Sequence, residues 1–234
     1  MIKSLSVLCL ALVFSCSANA QIASSFSKAK SNLYKKVEGN SGLTFYTNCS
    51  WAKKKVDLES CGLQNSFPKK HLKRASRTEA EHIIPASWMY RKNGKYRECY
   101  TQAKALGENT RKYCQKTDKD YRNAHNDLMN LVPAVGQLNG LRSNKPFAEK
   151  VSGKKEQTFR GNGKVLVVTS RVVIPDKSIR GDVARVGFYM SDTYGVSYSK
   201  RQLSLFKKWD KEDPVSSEEH ERNQRVFKVQ GIIH

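Results

Sequence analysis

Apolar positions recur at helical spacing at both ends of the chain. The first such stretch predicts a helix over Ser24 to Glu38, ended by Gly39 and Asn40. A second stretch predicts a helix from Gly181 to Tyr194. Two capping-box patterns, each a serine three residues before a Gln or Glu, predict two more helices: Ser199 with Gln202, and Ser216 with Glu219.

Other stretches favour extended or irregular structure. Leu43 to Asn48 is rich in β-forming residues and leads into Cys49, and Lys164 to Ile174 is dense in valine and predicts a strand. Between them, residues 69–144 are polar and irregular, with many His, Asn and Arg residues. The pattern predicts a mixed α+β fold whose chemistry lies in this polar middle, on loops held by a scaffold.

The first twenty residues are typical of an export signal. A positive Lys3, an apolar run from Val7 to Phe14 and small residues ending at Ala20 fit a cleaved signal peptide. Lipidation at Cys16 is the alternative, which the bulky Phe14 disfavours. The apolar run is too short for a membrane span, and no later stretch is apolar enough. We therefore expect residues 1–20 to be a signal peptide and 21–234 one domain, periplasmic or secreted.

The net charge indicates which class of binding partner the protein has. The chain has 42 Lys+Arg against 21 Asp+Glu, a net charge of +21. Such an excess favours a polyanionic partner, which can be a nucleic acid, an acidic polysaccharide or an anionic membrane surface. The alternative is an exported protein that is basic without a polyanionic partner.

Four cysteines remain outside the signal: Cys49, Cys61, Cys99 and Cys114. An even number in an exported chain favours disulfides, and the spacing favours Cys49–Cys61 and Cys99–Cys114 over the crossed pairings. A four-cysteine zinc site is disfavoured because closely spaced cysteine pairs are missing. A protein that needs these disulfides would fold poorly in a reducing cytoplasm, where they do not form.

Glu81 and His82 are the first candidates for chemistry. The local pattern predicts that they end a short extended segment, in which adjacent side chains point to opposite faces. One carboxylate can therefore face a cation while the imidazole faces a water molecule. Taken alone, the pair is more typical of a surface Glu and a half-buried structural His.

An amide-rich segment supplies the second group of candidates. Residues 123–144 hold five asparagines and His125. Pro133 suits the first turn of a short helix to about Leu141, with Asn139 near its end and Asn130 before it. An amide oxygen is a hard ligand that suits Mg²⁺. For any single Asn, turn or cap chemistry is the alternative.

Together these groups fit phosphodiester hydrolysis. That reaction needs a base for the attacking water, a metal ion at the phosphate oxygens and a cation against the developing charge. Imidazole, with an ordinary pKa of about 6.5, suits the role of base at neutral pH.

Longer motifs in the same chain resemble the endonuclease I family of periplasmic and secreted nucleases, members of the ββα-metal group. The resemblance is strongest from Arg74 to Ala86 and from Asn130 to Gly140. It continues through five shorter segments: Val56 to Gly62, Arg111 to Cys114, Arg180 to Arg185, Tyr189 with Met190, and Lys228 to Gly231. It implies a ββα-metal core, a strand hairpin plus a metal-binding helix, with additional helices and a disulfide-braced loop region.

The resemblance also implies roles for individual residues. His82 matches the general base, Glu81 and Asn139 match the Mg²⁺ ligands, and Arg111 matches the arginine at the phosphate. Asn130 and His125 are expected beside these groups as supporting residues. Met129 and Gln137 depart from the usual family pattern, which has His and Glu there, and the family often has eight cysteines.

The activity implied is cleavage of single- and double-stranded DNA, and of RNA, without sequence preference. The expected mechanism uses one metal ion, Mg²⁺ or alternatively Mn²⁺ or Ca²⁺, and gives 5′-phosphate products. The enzyme is expected to be a monomer that contacts the nucleic-acid backbone. Two rival hypotheses stay open. One is a basic nucleic-acid-binding protein of the same fold without catalysis, and the other is a binder of acidic polysaccharide or anionic lipid.

Overall fold

The chain folds as a mixture of helices and small antiparallel sheets, described here in a computed structural model that covers residues 21–90 and 95–231. The helices are α1 (Phe26–Asn32, continued by a π-turn over Leu33–Val37), α2 (Lys69–Ala75), α3 (Arg97–Ala105), α4 (Thr110–Thr117), α5 (Lys119–Asn126), α6 (Gly136–Arg142), α7 (Arg180–Tyr194), α8 (Lys200–Glu212) and α9 (Ser217–Gln230). The signal peptide predicted for residues 1–20 lies outside the described residues.

The strands form three sheets within the described part of the chain. The first contains β1 (Ser41–Leu43), β2 (Ser50–Ala52) and β3 (Lys55–Val56), the second β4 (Thr78–His82) and β5 (Leu131–Val135), and the third β6 (Gln157–Arg160), β7 (Val165–Val168) and β8 (Val173–Ile174).

The central unit is the pair β4–β5 with the helix that follows it. β4 pairs antiparallel with β5, so that Glu81 lies opposite Val132 and His82 opposite Leu131. Helix α6 begins directly after β5 and packs its buried Leu138 inward. The prediction of an α+β fold with a ββα core is therefore confirmed.

The predicted position of the helix within this unit was wrong. Pro133 lies in β5 opposite Ala80 and does not begin the helix. Its carbonyl accepts a hydrogen bond from the Phe45 N–H on the outer side of the strand, so its missing N–H also faces away from β4. The helix begins at Gly136, which places Asn139 in its middle and not near its end.

Two stretches that the sequence predicted as extended, 43–48 and 164–174, each contain a turn in the structure. Strand β1 ends at Leu43, and the Thr44 side-chain hydroxyl accepts a hydrogen bond from the Cys49 N–H. Thr169 likewise accepts hydrogen bonds from the N–H groups of Arg171 and Val172, and it splits the predicted strand 164–174 into β7 and β8. In both cases a threonine hydroxyl competes with strand pairing for backbone groups.

The polar middle is more regular than predicted. Helices α3, α4 and α5 occupy most of residues 97–126, and Asn109 and Asp118 cap the last two with their side chains. The predicted pairings Cys49–Cys61 and Cys99–Cys114 are both present, and the second joins α3 to α4. The helices predicted at 24–38 and 181–194, and after Ser199 and Ser216, are confirmed within a few residues.

Candidate active site

A cavity of about 700 Å³ opens over β4 and α6. All four residues predicted for catalysis, phosphate contact and metal binding line it, namely Glu81, His82, Arg111 and Asn139. Basic side chains dominate the rest of its wall: Lys30, Lys54, Arg74, Arg77 and Arg142. The site thus combines a carboxylate, an amide and an imidazole in strongly positive surroundings.

His82 ends β4 with its imidazole fixed on one side and open on the other. Its Nε2 lies 2.8 Å from the carbonyl oxygen of His125. A carbonyl can only accept, so Nε2 carries the proton and Nδ1 carries the lone pair. Nδ1 has no hydrogen-bond partner among the described residues. The Phe26 ring stacks on the imidazole with centroids 5.4 Å apart and restricts its rotation.

The environment of His82 favours the neutral imidazole. The residue is only 8% exposed, and its burial, followed by the nearby His125, holds its pKa well below the usual value. At neutral pH the ring is therefore uncharged, and its Nδ1 keeps a free lone pair.

His125 and Asn130, expected as supporting residues, hold the segment around His82. Burial is the main cause that lowers the pKa of His125 to about 4, so its ring is neutral. The side chain of Asn130 donates to the Ile84 carbonyl at 2.9 Å and accepts from the Ile84 N–H at 2.7 Å. These paired bonds tie the chain just after β4 to the chain just before β5.

Glu81 faces away from His82 and presents one free oxygen. It is 3% exposed, and its Oε1 accepts a hydrogen bond from the Tyr46 hydroxyl at 3.0 Å and lies 3.3 Å from Arg142 Nε. Its Oε2 accepts no hydrogen bond from any residue in 21–90 or 95–231. Burial raises the pKa of Glu81 to about 7, against the opposing effect of Arg142.

Asn139 meets a residue that sequence reasoning did not select. Its Nδ2 donates to Oε2 of Glu79 at 3.1 Å, and the same carboxylate binds Arg74 and Arg77. No hydrogen bond to Asn139 Oδ1 is formed within the described part of the chain. The amide oxygen is therefore available to a ligand in the cavity.

The free atoms suit a hard divalent cation. Glu81 Oε2 and Asn139 Oδ1 belong to two residues that line one cavity, and both are oxygen donors. Mg²⁺ retains several waters and binds through few protein ligands, so one carboxylate and one amide are sufficient. No cluster of three or more His, Cys, Asp or Glu that could bind a metal occurs in residues 21–90 and 95–231.

Arg111 also lines the cavity. It belongs to the first turn of α4, is exposed and forms no ion pair with another described residue. Its charge is close enough to contribute to the lowered pKa of His82. The guanidinium is thus free to bind a phosphate.

Three residues that contact Glu81 or Asn139 were missed by sequence reasoning. Glu79 lies two positions before Glu81 in the same strand, and Arg142 lies three positions after Asn139 in the same helix. Both spacings place side chains on a common face and were available as signals. Tyr46 is 35 positions away from Glu81, and no local pattern indicates their contact.

Across the described ranges, every helix is too short or too polar to cross a bilayer.

Comparisons with known proteins agree on one family. A family model described as Endonuclease I matches residues 25–233. An extracellular deoxyribonuclease of Aeromonas hydrophila is 37% identical over 235 residues, which covers 99% of this chain and 95% of the relative. A periplasmic deoxyribonuclease of the same organism is 35% identical, with 95% and 89% covered. An endonuclease-1 of Buchnera aphidicola is 34% identical, with 84% and 74% covered.

Proposed function

This chain belongs to the endonuclease I family and is a metal-dependent nuclease, and we propose that it hydrolyses single- and double-stranded DNA and RNA without sequence preference. The observation that carries the proposal is that three atoms without a hydrogen-bond partner in the described part of the chain belong to residues that line the same cavity. His82 Nδ1, Glu81 Oε2 and Asn139 Oδ1 all belong to residues lining one basic cavity and have no partner among the described residues.

Glu81 and Asn139 would hold the metal ion. When bound, Mg²⁺ supplies positive charge that stabilises the phosphate oxygens as negative charge develops. The oxygen donors favour Mg²⁺ over softer metals, and Mn²⁺ or Ca²⁺ are the alternatives. Arg142 and Tyr46 bind the other oxygen of Glu81 and so restrict the rotation of its carboxylate.

His82 would act as the general base. Its Nδ1 takes a proton from water, and the resulting hydroxide attacks phosphorus while the bond to the 3′-oxygen breaks and that oxygen takes a proton from a second water molecule. The products carry a 5′-phosphate and a 3′-hydroxyl. The bond from Nε2–H to the His125 carbonyl stabilises the imidazolium that forms, since a dipole then faces the new charge.

Arg111 would bind the scissile phosphate. A planar guanidinium can give two parallel hydrogen bonds to phosphate oxygens, which a lysine cannot do. Because Arg111 is exposed and without an ion pair among the described residues, little interaction must be broken when the phosphate arrives.

Lys30 and Lys54 would bind neighbouring phosphates. Each lines the cavity, and neither forms an ion pair within residues 21–90 and 95–231. The ammonium groups lie close to aromatic rings, Lys30 at 5.0 Å from Phe26 and Lys54 at 4.9 Å from Tyr34. Contacts of this kind read the backbone and not the base edges, which supports activity on both DNA and RNA.

Binding through these lysines predicts a change in salt dependence. For the double variant Lys30→Ala/Lys54→Ala, the slope of log Kd against log salt for duplex DNA should become shallower by about 1.8, at about 0.9 per lost contact. The measurement uses fluorescence anisotropy in EDTA, where the DNA stays intact. Lys207→Ala/Lys211→Ala on α8 is the control of equal charge, because neither lysine lines the cavity. Equal slopes for both double variants would refute the assignment.

Metal removal tests the proposed activity itself. The oxidised protein is incubated with supercoiled plasmid, denatured DNA and RNA, with and without EDTA. We expect all three to be cut, EDTA to abolish cutting, and excess Mg²⁺ to restore it. Fragments should accept label from a polynucleotide kinase only after phosphatase treatment, because their 5′ ends are phosphorylated.

The rival functions give different results in the same assay. Binding without cutting would support a non-catalytic nucleic-acid-binding protein, and no interaction with nucleic acid would support a polysaccharide or lipid binder. Cutting that persists in EDTA would contradict the metal site.

We further propose that residues 21–234 act as one monomeric domain in the periplasm or outside the cell. The named relatives include an extracellular and a periplasmic enzyme, and disulfides persist in these oxidising compartments.

A further inference from the structure

Glu79 is the centre of a small hydrogen-bond network beside the metal-binding face of α6. Its Oε1 accepts from Arg74 Nε at 3.0 Å and from Arg77 Nη2 at 3.0 Å. Its Oε2 accepts from Arg74 Nη2 at 2.7 Å and from Asn139 Nδ2 at 3.1 Å. Both oxygens are therefore already engaged, and Glu79 differs in this from Glu81, which has a free oxygen.

This network determines which end of the Asn139 amide faces the cavity. The amide has a donor end, Nδ2, and an acceptor end, Oδ1, and only the oxygen can bind a cation. An ionised carboxylate accepts hydrogen bonds and cannot donate them, so Glu79 can pair with Nδ2 alone. The opposite orientation would place two oxygens against each other.

Arg74 fixes Glu79 in turn. Its guanidinium forms two parallel bonds with the carboxylate, a geometry that limits rotation of both groups. The guanidinium lies directly over α6 at Gly140, where a Cβ would come within 2.4 Å of Arg74 Nη1. A glycine at this position thus leaves room for the arginine.

We propose that Glu79, held by Arg74, is a positioning residue that orients Asn139 with its oxygen toward the bound metal ion. The inference rests on the proposed function, because it presupposes Asn139 as a ligand. Residues that hydrogen-bond to a metal ligand commonly orient the ligand atom before the metal binds, and we assign this role to Glu79.

The isosteric substitution Glu79→Gln tests this orientation directly. The two arginines will attract the one oxygen that the introduced amide retains, so its NH₂ group will face Asn139 and favour the flipped orientation of the Asn139 amide. We expect the affinity for Mn²⁺, measured on the metal-free protein by electron paramagnetic resonance, to fall by about 10- to 100-fold. DNA binding in EDTA should not weaken, because the substitution removes a negative charge from the wall of the cavity.

A second substitution should reverse the loss. In Glu79→Gln/Asn139→Asp the amide introduced in β4 can donate to the carboxylate introduced in α6, which has a second oxygen for the metal. Asn139→Asp alone places two carboxylates in contact and should itself weaken folding or Mn²⁺ binding. We therefore expect Asn139→Asp to raise the affinity for Mn²⁺ in the Glu79→Gln background and to lower it in the unmodified protein, which is a non-additive result that a merely structural role of Glu79 does not produce.

Glu149→Gln is the matched control. Glu149 also accepts hydrogen bonds from a cation, Lys208, and its side chain is 25% exposed against 20% for Glu79. It lines a different cavity, so its substitution should leave the affinity for Mn²⁺ unchanged. Should Glu79→Gln fail to fold, Arg74→Met tests the same contact by removing the partner of Glu79. The Arg74 side chain is 42% exposed, so we expect this variant to fold.

The outcomes separate this inference from the proposed function. Wild-type affinity in both Glu79→Gln and Arg74→Met would overturn the positioning role, as would an equal loss in Glu79→Gln and in the double variant. Failure of the unmodified protein to bind Mn²⁺, or retention of binding by Glu81→Ala, would overturn the metal site and the positioning role with it.

Discussion

Replacing His82 with alanine is expected to lower kcat by about 10²- to 10⁴-fold, the usual contribution of a positioned general base. The physical reason is that Nδ1 of His82 combines a free lone pair with a neutral ring, and the substitution removes this acceptor from the cavity. Nucleic-acid affinity in EDTA should be unchanged, since the exposed cations of the cavity stay in place. The measurement is steady-state cleavage of a fluorescent oligonucleotide at saturating Mg²⁺.

Chemical rescue distinguishes lost chemistry from lost structure. The variant leaves a gap beneath Phe26 that opens to the cavity, so added imidazole should restore part of the activity of His82→Ala. His125→Ala is the matched control, because it also removes a buried imidazole but keeps the backbone carbonyl that binds His82. Its loss should be much smaller. Equal losses in the two variants, or full activity in His82→Ala, would contradict the role of base.

The sequence predicted the central ββα unit through motifs, and the helices through periodicity and caps. Ser199 and Ser216 each cap a helix as expected because capping depends on residues only three positions apart. The start of α6 was misplaced because Pro133 suits both a first helical turn and an outer strand edge. Only the bond from Phe45 to its carbonyl, between residues far apart in the chain, decides between them.

The site shows the same division between local and distant information. Glu81 and His82 were selected as a carboxylate beside a histidine, and strand alternation predicted that they face opposite sides. In the structure they contact different partners, Arg142 and His125. Their environments could not be predicted, because the burial that shifts both pKa values comes from Phe26, Tyr46 and helix α5, which are distant in the chain. Glu79 was overlooked although its spacing from Glu81 indicates a shared face, because that spacing does not show that Glu79 contacts Asn139.

Replacing Glu81 with glutamine should produce two separable losses. The first is metal binding. The isostere keeps an oxygen but loses the charge that attracts a divalent cation, so Mn²⁺ affinity and cleavage at fixed Mg²⁺ should both fall by more than the roughly 10- to 100-fold typical of an outer partner such as Glu79. Titration with Mn²⁺ and cleavage rates over a wide range of Mg²⁺ measure this loss.

The second loss concerns stability, because Glu81→Gln leaves Arg142 as a buried cation without its counter-charge. Breaking such a pair costs about 3–5 kcal/mol, and we expect the lower end, since the Arg142 guanidinium also donates to the carbonyls of His82 and Ile83. Urea unfolding in EDTA at about pH 9, where Glu81 with its pKa of about 7 is ionised, measures the cost without contribution from the metal. Glu149→Gln, which removes a partly exposed partner of Lys208, should lose much less. If Glu81→Gln loses stability but binds Mn²⁺ as tightly as the unmodified protein, Glu81 is a structural partner of Arg142, and the cation must be bound elsewhere.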